Sequence, residues 1–260
     1  MRWVKLLVYL LAGGYLVACL ALYLLQERLI FHPRALAPEY VYDWGEEVAV
    51  PVGESGERIE LSTVWVRKPE ARGVVVYFHG NVGDNNRGRY QARAVLEQPY
   101  DVVLVDYRGF GKSGGEVSSD AQLLADVQAV YDTVAAAYPE DRIHLLGYSL
   151  GSGMAAYLAA HNRPARLSLV APYTSLVDMK NLWFWWAPDF LLKYRLDTER
   201  FLTQVDCPVD IYHGTADRLI PYAMAERLAA LVPERVELHP LPGVSHRGAV
   251  LQMKPAWLGE

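Results

Sequence analysis

Gly147-Tyr148-Ser149-Leu150-Gly151 joins an apolar run at 142–146 to a helix-like stretch at 153–161. A Gly-x-Ser-x-Gly pattern between a strand and a helix is typical of a nucleophile elbow, in which the serine occupies a sharp, strained turn. Small residues two positions before and after the serine let the neighbouring chain pass close by. The turn also points the free N–H groups of a helix N-terminus at the hydroxyl. The pentapeptide alone equally fits an ordinary turn with an incidental serine, so its meaning depends on the rest of the chain.

Strands and helices alternate along most of the remaining sequence. Residues 73–78 and 101–106 are continuous apolar runs, as expected for strands buried on both faces. Further strands are predicted at 166–170, 208–213 and 235–241, and helices at 89–97, 120–138 and 222–231. Residues 46–52 and 59–66 alternate in polarity around a turn at 53–56, which predicts an N-terminal antiparallel hairpin. The repeated strand–helix units predict an α/β fold with a mostly parallel central sheet and helices on both faces.

An aromatic segment at 174–205 interrupts this alternation. It contains Trp183-Phe184-Trp185-Trp186 and Phe190-Leu191-Leu192. The segment is too long for a plain crossover and too apolar for a solvated loop. We expect a short helical cap over a site at the strand ends, or a surface that dips into a membrane. The alternative is additional helix packed on the core.

The N-terminus is predicted to be a membrane anchor comprising residues 1–28. Leu6 to Leu25 contains no charged residue and is long enough to cross the bilayer core as a helix. Arg2 and Lys5 precede this run, which favours a cytoplasmic N-terminus and a catalytic domain on the periplasmic or extracellular side. Two alternatives stay open. One is a cleaved signal segment, and the other is lipidation at Cys19, because Leu16-Val17-Ala18-Cys19 looks like a bacterial lipobox.

Composition excludes several other classes of protein. The chain has 260 residues, so the part that follows the anchor, 29–260, suits a single domain. The net charge is −5 and the sequence has no block of Lys or Arg, which argues against nucleic acid as a partner. The two cysteines, Cys19 and Cys207, form no Cys/His cluster with zinc spacing, so neither a metal nor a cofactor is expected.

A serine hydroxyl is a poor nucleophile unless a base takes its proton and a further group orients that base. The candidate base is His246, in Gly243-Val244-Ser245-His246-Arg247, just after the last predicted strand. The candidate acid is Asp217, in His213-Gly214-Thr215-Ala216-Asp217, just after the preceding strand. Asp210, inside that strand, is a weaker rival. The sequence therefore supplies a serine, an acid and a histidine in the chain order that strand-end triads follow.

An oxyanion intermediate needs two backbone N–H groups aimed at one point. Leu150, next to Ser149, is predicted to supply one of them. Asn81 is predicted to supply the other, because it follows the strand that ends Tyr77-Phe78-His79-Gly80 and the glycine allows the backbone to turn.

Together these motifs resemble the α/β-hydrolase superfamily, and within it the membrane-anchored serine hydrolases of the esterase, acyl-thioesterase and serine-aminopeptidase-like branch. The matching stretches are His79-Gly80-Asn81, Asp106-Tyr107-Arg108-Gly109-Phe110-Gly111-Lys112-Ser113, Gly147-Tyr148-Ser149-Leu150-Gly151, Pro172-Tyr173-Thr174-Ser175-Leu176, His213-Gly214-Thr215-Ala216-Asp217 and Ser245-His246. The resemblance implies an α/β-hydrolase domain at 29–260 with a cap insertion at about 174–205. It also implies that Ser149 is the nucleophile, Asp217 the acid and His246 the base, with oxyanion N–H groups from Asn81 and Leu150.

The expected function is hydrolysis of a carboxylic ester or thioester with a hydrophobic acyl group, through an acyl-enzyme. The expected partners are a small-molecule or lipid-like acyl substrate and, through the N-terminal segment, a membrane. One alternative is a serine peptidase or aminopeptidase-like amide hydrolase, which needs a carboxylate near the site to hold the substrate's amine. Acidic residues are sparse in the aromatic segment, although Asp178 and Asp189 are present. An alternative of another class is a non-catalytic binding scaffold.

Overall fold

The computed structural model describes residues 1–53, 59–255 and 257, and its elements follow the predicted alternation. In chain order they are α1 (Arg2–Ile30), β1 (His32–Pro33), β2 (Glu46–Val52), β3 (Ile59–Val66), β4 (Val74–Phe78), β5 (Val82–Gly83), α2 (Asn85–Gln91), α3 (Arg93–Leu96), β6 (Asp101–Val105), α4 (Asp120–Ala135), β7 (Ile143–Tyr148), α5 (Leu150–His161), β8 (Arg166–Val170), α6 (Leu176–Phe184), α7 (Thr198–Leu202), β9 (Val209–Gly214), α8 (Tyr222–Leu231), β10 (Val236–Leu241) and α9 (His246–Gln252). Short 3₁₀ turns cover Glu140–Arg142 and Asp189–Leu191. Residues 54–58 lie outside the described residues, so most of the predicted turn at 53–56 is not described.

The central sheet is mostly parallel, as predicted. Among the described residues, eight strands form one sheet in the order β10-β9-β8-β7-β4-β6-β3-β2. The neighbours from β10 to β6 pair in parallel, whereas β3 pairs antiparallel with both β6 and β2. The chain therefore has the α/β-hydrolase fold, with the predicted N-terminal hairpin at one edge of the sheet.

The apolar strands are continuous because the sheet is covered on both faces. Every residue of β4 and of β6 is buried. Alternate side chains of β4 enter two separate cores: Val74, Val76 and Phe78 pack in one, and Val75 and Tyr77 pack in the other. Because the parallel strands point the same way, their carboxyl ends meet at one edge and bring the loops that follow them together.

Two helices begin earlier than the sequence predicts. In place of a helix at 89–97, α2 starts at Asn85, where the Asp84 carboxylate accepts hydrogen bonds from the N–H groups of Asn86 (3.0 Å) and Arg87 (3.1 Å). The stretch after this cap is polar and has no apolar periodicity, so the cap was the only available signal. Helix α5 starts at Leu150 rather than at 153, directly after the elbow serine.

Helix α1 is apolar and largely exposed. It has 29 residues and a mean hydropathy of 2.1 in its most apolar window, so by length and composition it could cross a membrane. At 1.5 Å per residue it is about 43 Å long, against about 30 Å for a bilayer core. The helix runs through Cys19 without a break and ends at Ile30.

The half-buried side chain of His144 gives the fold a pH-dependent stability. Its ring lies flat against Trp257 (centroids 4.4 Å apart) and edge-on to Tyr100. Burial, assisted by the positive charge of Arg166, lowers the pKa of His144 to about 4. Since the ordinary value is about 6.5, the unfolded chain binds a proton that the folded chain does not bind in the window between those values. The stability contributed by neutral His144 is therefore complete above pH 6.5 and is lost as the pH falls toward 4.

From this residue we expect the free energy of unfolding to fall by about 2 kcal/mol between pH 7 and pH 5. His144→Phe keeps the ring contacts and removes the titration, so that part of the loss should disappear. Urea unfolding of the full chain in detergent at the two pH values measures it, with exposed His161→Phe as the matched control. If the free energy of unfolding of His144→Phe fell as much between pH 7 and pH 5 as that of the wild type, groups other than His144 would be responsible for the loss.

Candidate active site

Ser149 lies on a strained turn between β7 and α5. Its φ of 51° and ψ of −117° are unfavourable for a residue with a side chain. The glycines around it are required by close packing. A Cβ at Gly147 would lie 2.5 Å from the carbonyl oxygen of Gly151, and one at Gly151 would lie 2.1 Å from that of Phe78. The turn is held by the Ser149 N–H, which donates to the Val170 carbonyl at 2.9 Å. This is the geometry of a nucleophile elbow.

The structure brings the predicted base and acid to this serine. His246 is the first residue of α9, and its Nε2 lies 3.0 Å from Ser149 Oγ. Its Nδ1 lies 2.7 Å from Oδ2 of Asp217, which follows β9. Both distances are within hydrogen-bonding reach. A carboxylate at Nδ1 places the imidazole proton there and leaves Nε2 free to accept the proton of the serine hydroxyl.

Asp217 is a buried residue in the loop after β9, where it is held as a charged carboxylate. Its Oδ1 accepts hydrogen bonds from the N–H groups of Leu219 (2.8 Å) and Ile220 (2.9 Å), while Nε2 of His213 lies 3.3 Å from Oδ2. Burial alone would raise the pKa of Asp217. The hydrogen bonds from His213 and His246, with the charge of His246 and the Ile220 N–H, outweigh that effect and hold the pKa well below its ordinary value. Asp217 is therefore ionised throughout the neutral range.

The rival acid, Asp210, belongs to a different cluster. It lies near the amino end of β9. Its carboxylate accepts a hydrogen bond from Nη1 of Arg166 (2.9 Å) and lies 2.9 Å from Nε2 of His239. Asp210, Glu237 and His239 lie close enough to one another to share a cation. The guanidinium of Arg166 already balances the Asp210 charge, so this group is better suited to an ion pair than to a metal.

The two predicted oxyanion residues flank Ser149 in one cavity. Leu150 is the first residue of α5, so its N–H is one of those a helix start leaves without an intrahelical partner. Asn81 follows β4 and lines the same cavity as Ser149 and Leu150. The residues at the C-terminal end of α1 fix Asn81. The side-chain amide of Asn81 donates to the Ile30 carbonyl (2.9 Å), and the backbone carbonyl of Asn81 accepts from the His32 N–H (2.8 Å).

The cavity has a volume of about 250 Å³ and reaches Ser149 from between α1 and the aromatic segment. Its walls are mainly apolar side chains from α1, from α6 and from the loop after Asp217, among them Leu22, Leu29, Met179, Trp183, Leu219 and Ile220. Helix α6 has no fully buried residue, and Trp183 remains 62% exposed, but Leu176 and Met179 are half-buried and pack against the core, so both the cap and the extra-helix interpretation of 174–205 stay open. Helix α7 does pack on the core, through Phe201 and Leu202.

Charged groups are scarce around this cavity. None of the described residues that line it is an Asp or a Glu, and its charged residue, Lys180, donates to the Asp189 carboxylate at 2.6 Å. Asp178 does not line the cavity and accepts a hydrogen bond from Thr174 Oγ1 at 2.6 Å. Neither Asp178 nor Asp189 lines the cavity, and each already has a side-chain partner.

Three features of the site were not predicted from the sequence. The ring of Tyr148 stacks on that of His246, with centroids 5.4 Å apart. Beneath the site, Nε2 of buried His79 lies 3.3 Å from Oδ1 of Asp106, whose pKa is raised by burial. The third is the contribution of α1 to the cavity wall. The apolar residues of α1 recur at a spacing that would suit a face packed against the domain. A helix that faces only lipid would show the same pattern.

Comparison with known proteins supports the fold and the family. The family model described as serine aminopeptidase, S33, matches residues 69–201. An uncharacterized protein of Mycobacterium tuberculosis, Rv2307c, is 32% identical over 231 residues, which cover 85% of this chain and 80% of that protein. Lysophosphatidylserine lipase ABHD12 of Danio rerio is 26% identical over 231 residues, covering 80% of this chain and 60% of the lipase. The esterase Pf2001 of Pyrococcus furiosus has the same fold, with a TM-score of 0.68 at 18% identity, covering 88% of this chain and 94% of the esterase.

Proposed function

Because this chain belongs to the serine aminopeptidase S33 family of the α/β-hydrolase superfamily, we propose that it is a serine hydrolase that cleaves a carboxylic ester or thioester with a hydrophobic acyl group. The observation that carries this proposal is a continuous hydrogen-bonded series at the end of an apolar cavity. Asp217 Oδ2, His246 and Ser149 Oγ are joined at 2.7 and 3.0 Å, and Ser149 lines the cavity.

In the proposed reaction, His246 Nε2 takes the proton of Ser149 as Oγ attacks the carbonyl carbon. The N–H groups of Leu150 and Asn81 bind the oxygen that becomes negative, and Asp217 stabilises the imidazolium. The imidazolium then gives its proton to the leaving alcohol or thiol, and an acyl-enzyme remains on Ser149. Water, deprotonated by His246, attacks this ester and releases the carboxylic acid.

The proposed substrate is lipid-like. Apolar side chains dominate the cavity, which favours an acyl chain over a polar group. The relative named lysophosphatidylserine lipase acts on a lipid by its name, and its 26% identity over most of this chain supports the same general class here. We further propose that residues 1–28 anchor a hydrolase domain at 29–260, with 174–205 as its cap. Arg2 and Lys5 before the apolar run support an orientation in which that domain lies outside the cytoplasm.

The family's name also suggests an aminopeptidase, which is the second candidate function. An exopeptidase needs a carboxylate to hold the substrate's ammonium group beside the serine. The described residues lining the cavity include no carboxylate, which disfavours this candidate. A binding scaffold is disfavoured because Ser149, His246 and Asp217 lie in an arrangement suited to catalysis.

A fluorophosphonate probe followed by a substrate panel tests the proposal. The full chain in detergent is expected to react with the probe, and medium- or long-chain acyl esters and thioesters are expected to compete with the probe and be hydrolysed. Aminoacyl amides of matched size should compete poorly. A higher kcat/KM for the amides would identify a peptidase instead, and complete inertness to the probe and to every ester would favour a scaffold.

A further inference from the structure

One face of α1 belongs to the cavity that contains Ser149. Leu22, Gln26, Leu29 and Ile30 line it together with Ser149. Their spacing of four, three and one residues puts them on the same side of a helix. Leu24, two residues beyond Leu22, lies on the other side and is 61% exposed. The helix proposed as an anchor therefore has one face toward the site and one away from it.

Polar contacts fix α1 against the aromatic segment. The side chain of Gln26 is buried; its Nε2 donates to the Leu191 carbonyl (3.1 Å) and its Oε1 accepts from the Lys193 N–H (2.7 Å). Glu27 Oε1 lies 2.8 Å from Nζ of Lys193 and accepts from the Tyr194 hydroxyl at 3.2 Å. These contacts, at the first polar residues after the apolar run, hold the wall of the cavity in place.

The aromatic segment extends along α1 as far as Tyr15, near the middle of the uncharged run. The Tyr15 hydroxyl donates to the Trp186 carbonyl at 3.2 Å, and their rings are in edge contact. Tyr15 lies about 15 Å along the helix axis from Leu25, where the uncharged run ends. That distance is about half of a 30 Å hydrocarbon core. A segment that touches both Tyr15 and Gln26 would therefore lie beside one leaflet of a bilayer that α1 crosses.

The exposed side chains of the aromatic segment are of a kind suited to contact with a bilayer. Trp183, Trp185 and Phe190 are 62%, 78% and 80% exposed. Large exposed aromatic groups are costly in water but are enriched where proteins meet the bilayer interface. Trp183 also lines the cavity, whereas Trp185 and Phe190 do not.

We propose that α1 is part of the acyl-binding site. In this proposal, a single acyl chain of a membrane lipid passes from the leaflet between α1 and α6 and reaches Ser149 without crossing water. The inference rests on the proposed function and adds to it the source of the substrate and the residues that set its chain length. A volume of about 250 Å³ lies below the 300–1,000 Å³ typical of small-molecule sites. The substrate class is accordingly a single-chain acyl ester whose polar group stays at the level of Ser149.

The test compares two substitutions on opposite faces of α1 in the full-length protein. Leu22→Trp fills the cavity from its wall, and Leu24→Trp adds the same bulk on the outer face. The readout is the ratio of kcat/KM for dodecanoyl over acetyl p-nitrophenyl esters in proteoliposomes. We expect the ratio to fall at least about tenfold in Leu22→Trp and to stay within about twofold of wild type in Leu24→Trp. Leu29→Ala, which enlarges the cavity, should move the preferred chain to a longer one.

The outcomes separate this inference from the proposed function. Equal ratios in Leu22→Trp, Leu24→Trp and an active wild type would overturn the assignment of α1 to the site and leave the esterase proposal standing. A wild type that hydrolyses no ester would overturn the proposed function itself. If Leu22→Trp does not fold, shown by loss of fluorophosphonate labelling, Leu29→Ala decides: an unaltered chain-length preference overturns the inference.

Discussion

Ser149→Ala is expected to lower kcat for a medium-chain acyl ester by roughly 10⁶-fold and to abolish fluorophosphonate labelling. The hydroxyl oxygen of Ser149 is the atom proposed to form the acyl-enzyme bond, and it lies 3.0 Å from the base. Without it, the remaining groups can polarise a carbonyl but cannot carry out covalent catalysis. Initial rates of the purified full chain in detergent, measured at saturating substrate, give the effect directly.

The matched control for this variant is Ser118→Ala, which removes an exposed hydroxyl near the end of the loop before α4. It should keep the wild-type rate and labelling. Circular dichroism should show that both variants are folded. A Ser149→Ala protein that retained more than about one hundredth of the wild-type rate would refute a Ser149 nucleophile, because an intact triad serine accounts for far more than that.

Asp217→Asn is expected to lower kcat by about 10⁴-fold with a much smaller change in KM. The amide is nearly the same size, and its oxygen can still accept from the Leu219 and Ile220 N–H groups, so the loop should persist. The amide cannot stabilise the imidazolium and can hold His246 in the wrong tautomer. Because Asp217 is ionised throughout the neutral range, the loss should appear equally at pH 6, 7 and 8.

Asp210→Asn is the control for the acid, since Asp210 is the rival carboxylate and lies in β9, the strand that leads into the loop of Asp217. Its partners are Arg166 and His239, so a change in stability is expected but no comparable loss of kcat per folded molecule. Steady-state kinetics beside thermal unfolding separates the two effects. If Asp210→Asn lost more kcat than Asp217→Asn, the assignment of the acid would have to be reversed.

The strands and the elbow could be predicted because their signals are local. Val74 to Phe78 is a continuous apolar run, and that pattern alone indicates a strand covered on both faces. The glycines at 147 and 151 are required by the tight turn, since a Cβ at either position would collide with backbone atoms. Asp217 and His246 could be picked out because each follows a strand, and parallel strands end at one edge of the sheet.

Contacts between distant segments could not be predicted in this way. Nothing near His79 in the sequence indicates that its ring lies 3.3 Å from the Asp106 carboxylate, and nothing near Tyr148 indicates stacking on His246. The contribution of Leu22 to the cavity was hidden for a different reason. An apolar residue in a long apolar helix satisfies the requirements of lipid and of a cavity wall equally well, so only its placement beside Ser149 distinguishes them.

Location of the acyl group on the enzyme tests the central claim most directly. The full chain is mixed with an excess of p-nitrophenyl ester, quenched in acid during turnover, digested and examined by peptide mass spectrometry. The account predicts one acyl group per chain, on the peptide that contains Ser149, and none in Ser149→Ala. Hydrolysis with the acyl group on another residue, or with no adduct on Ser149 at any quench time, would contradict it.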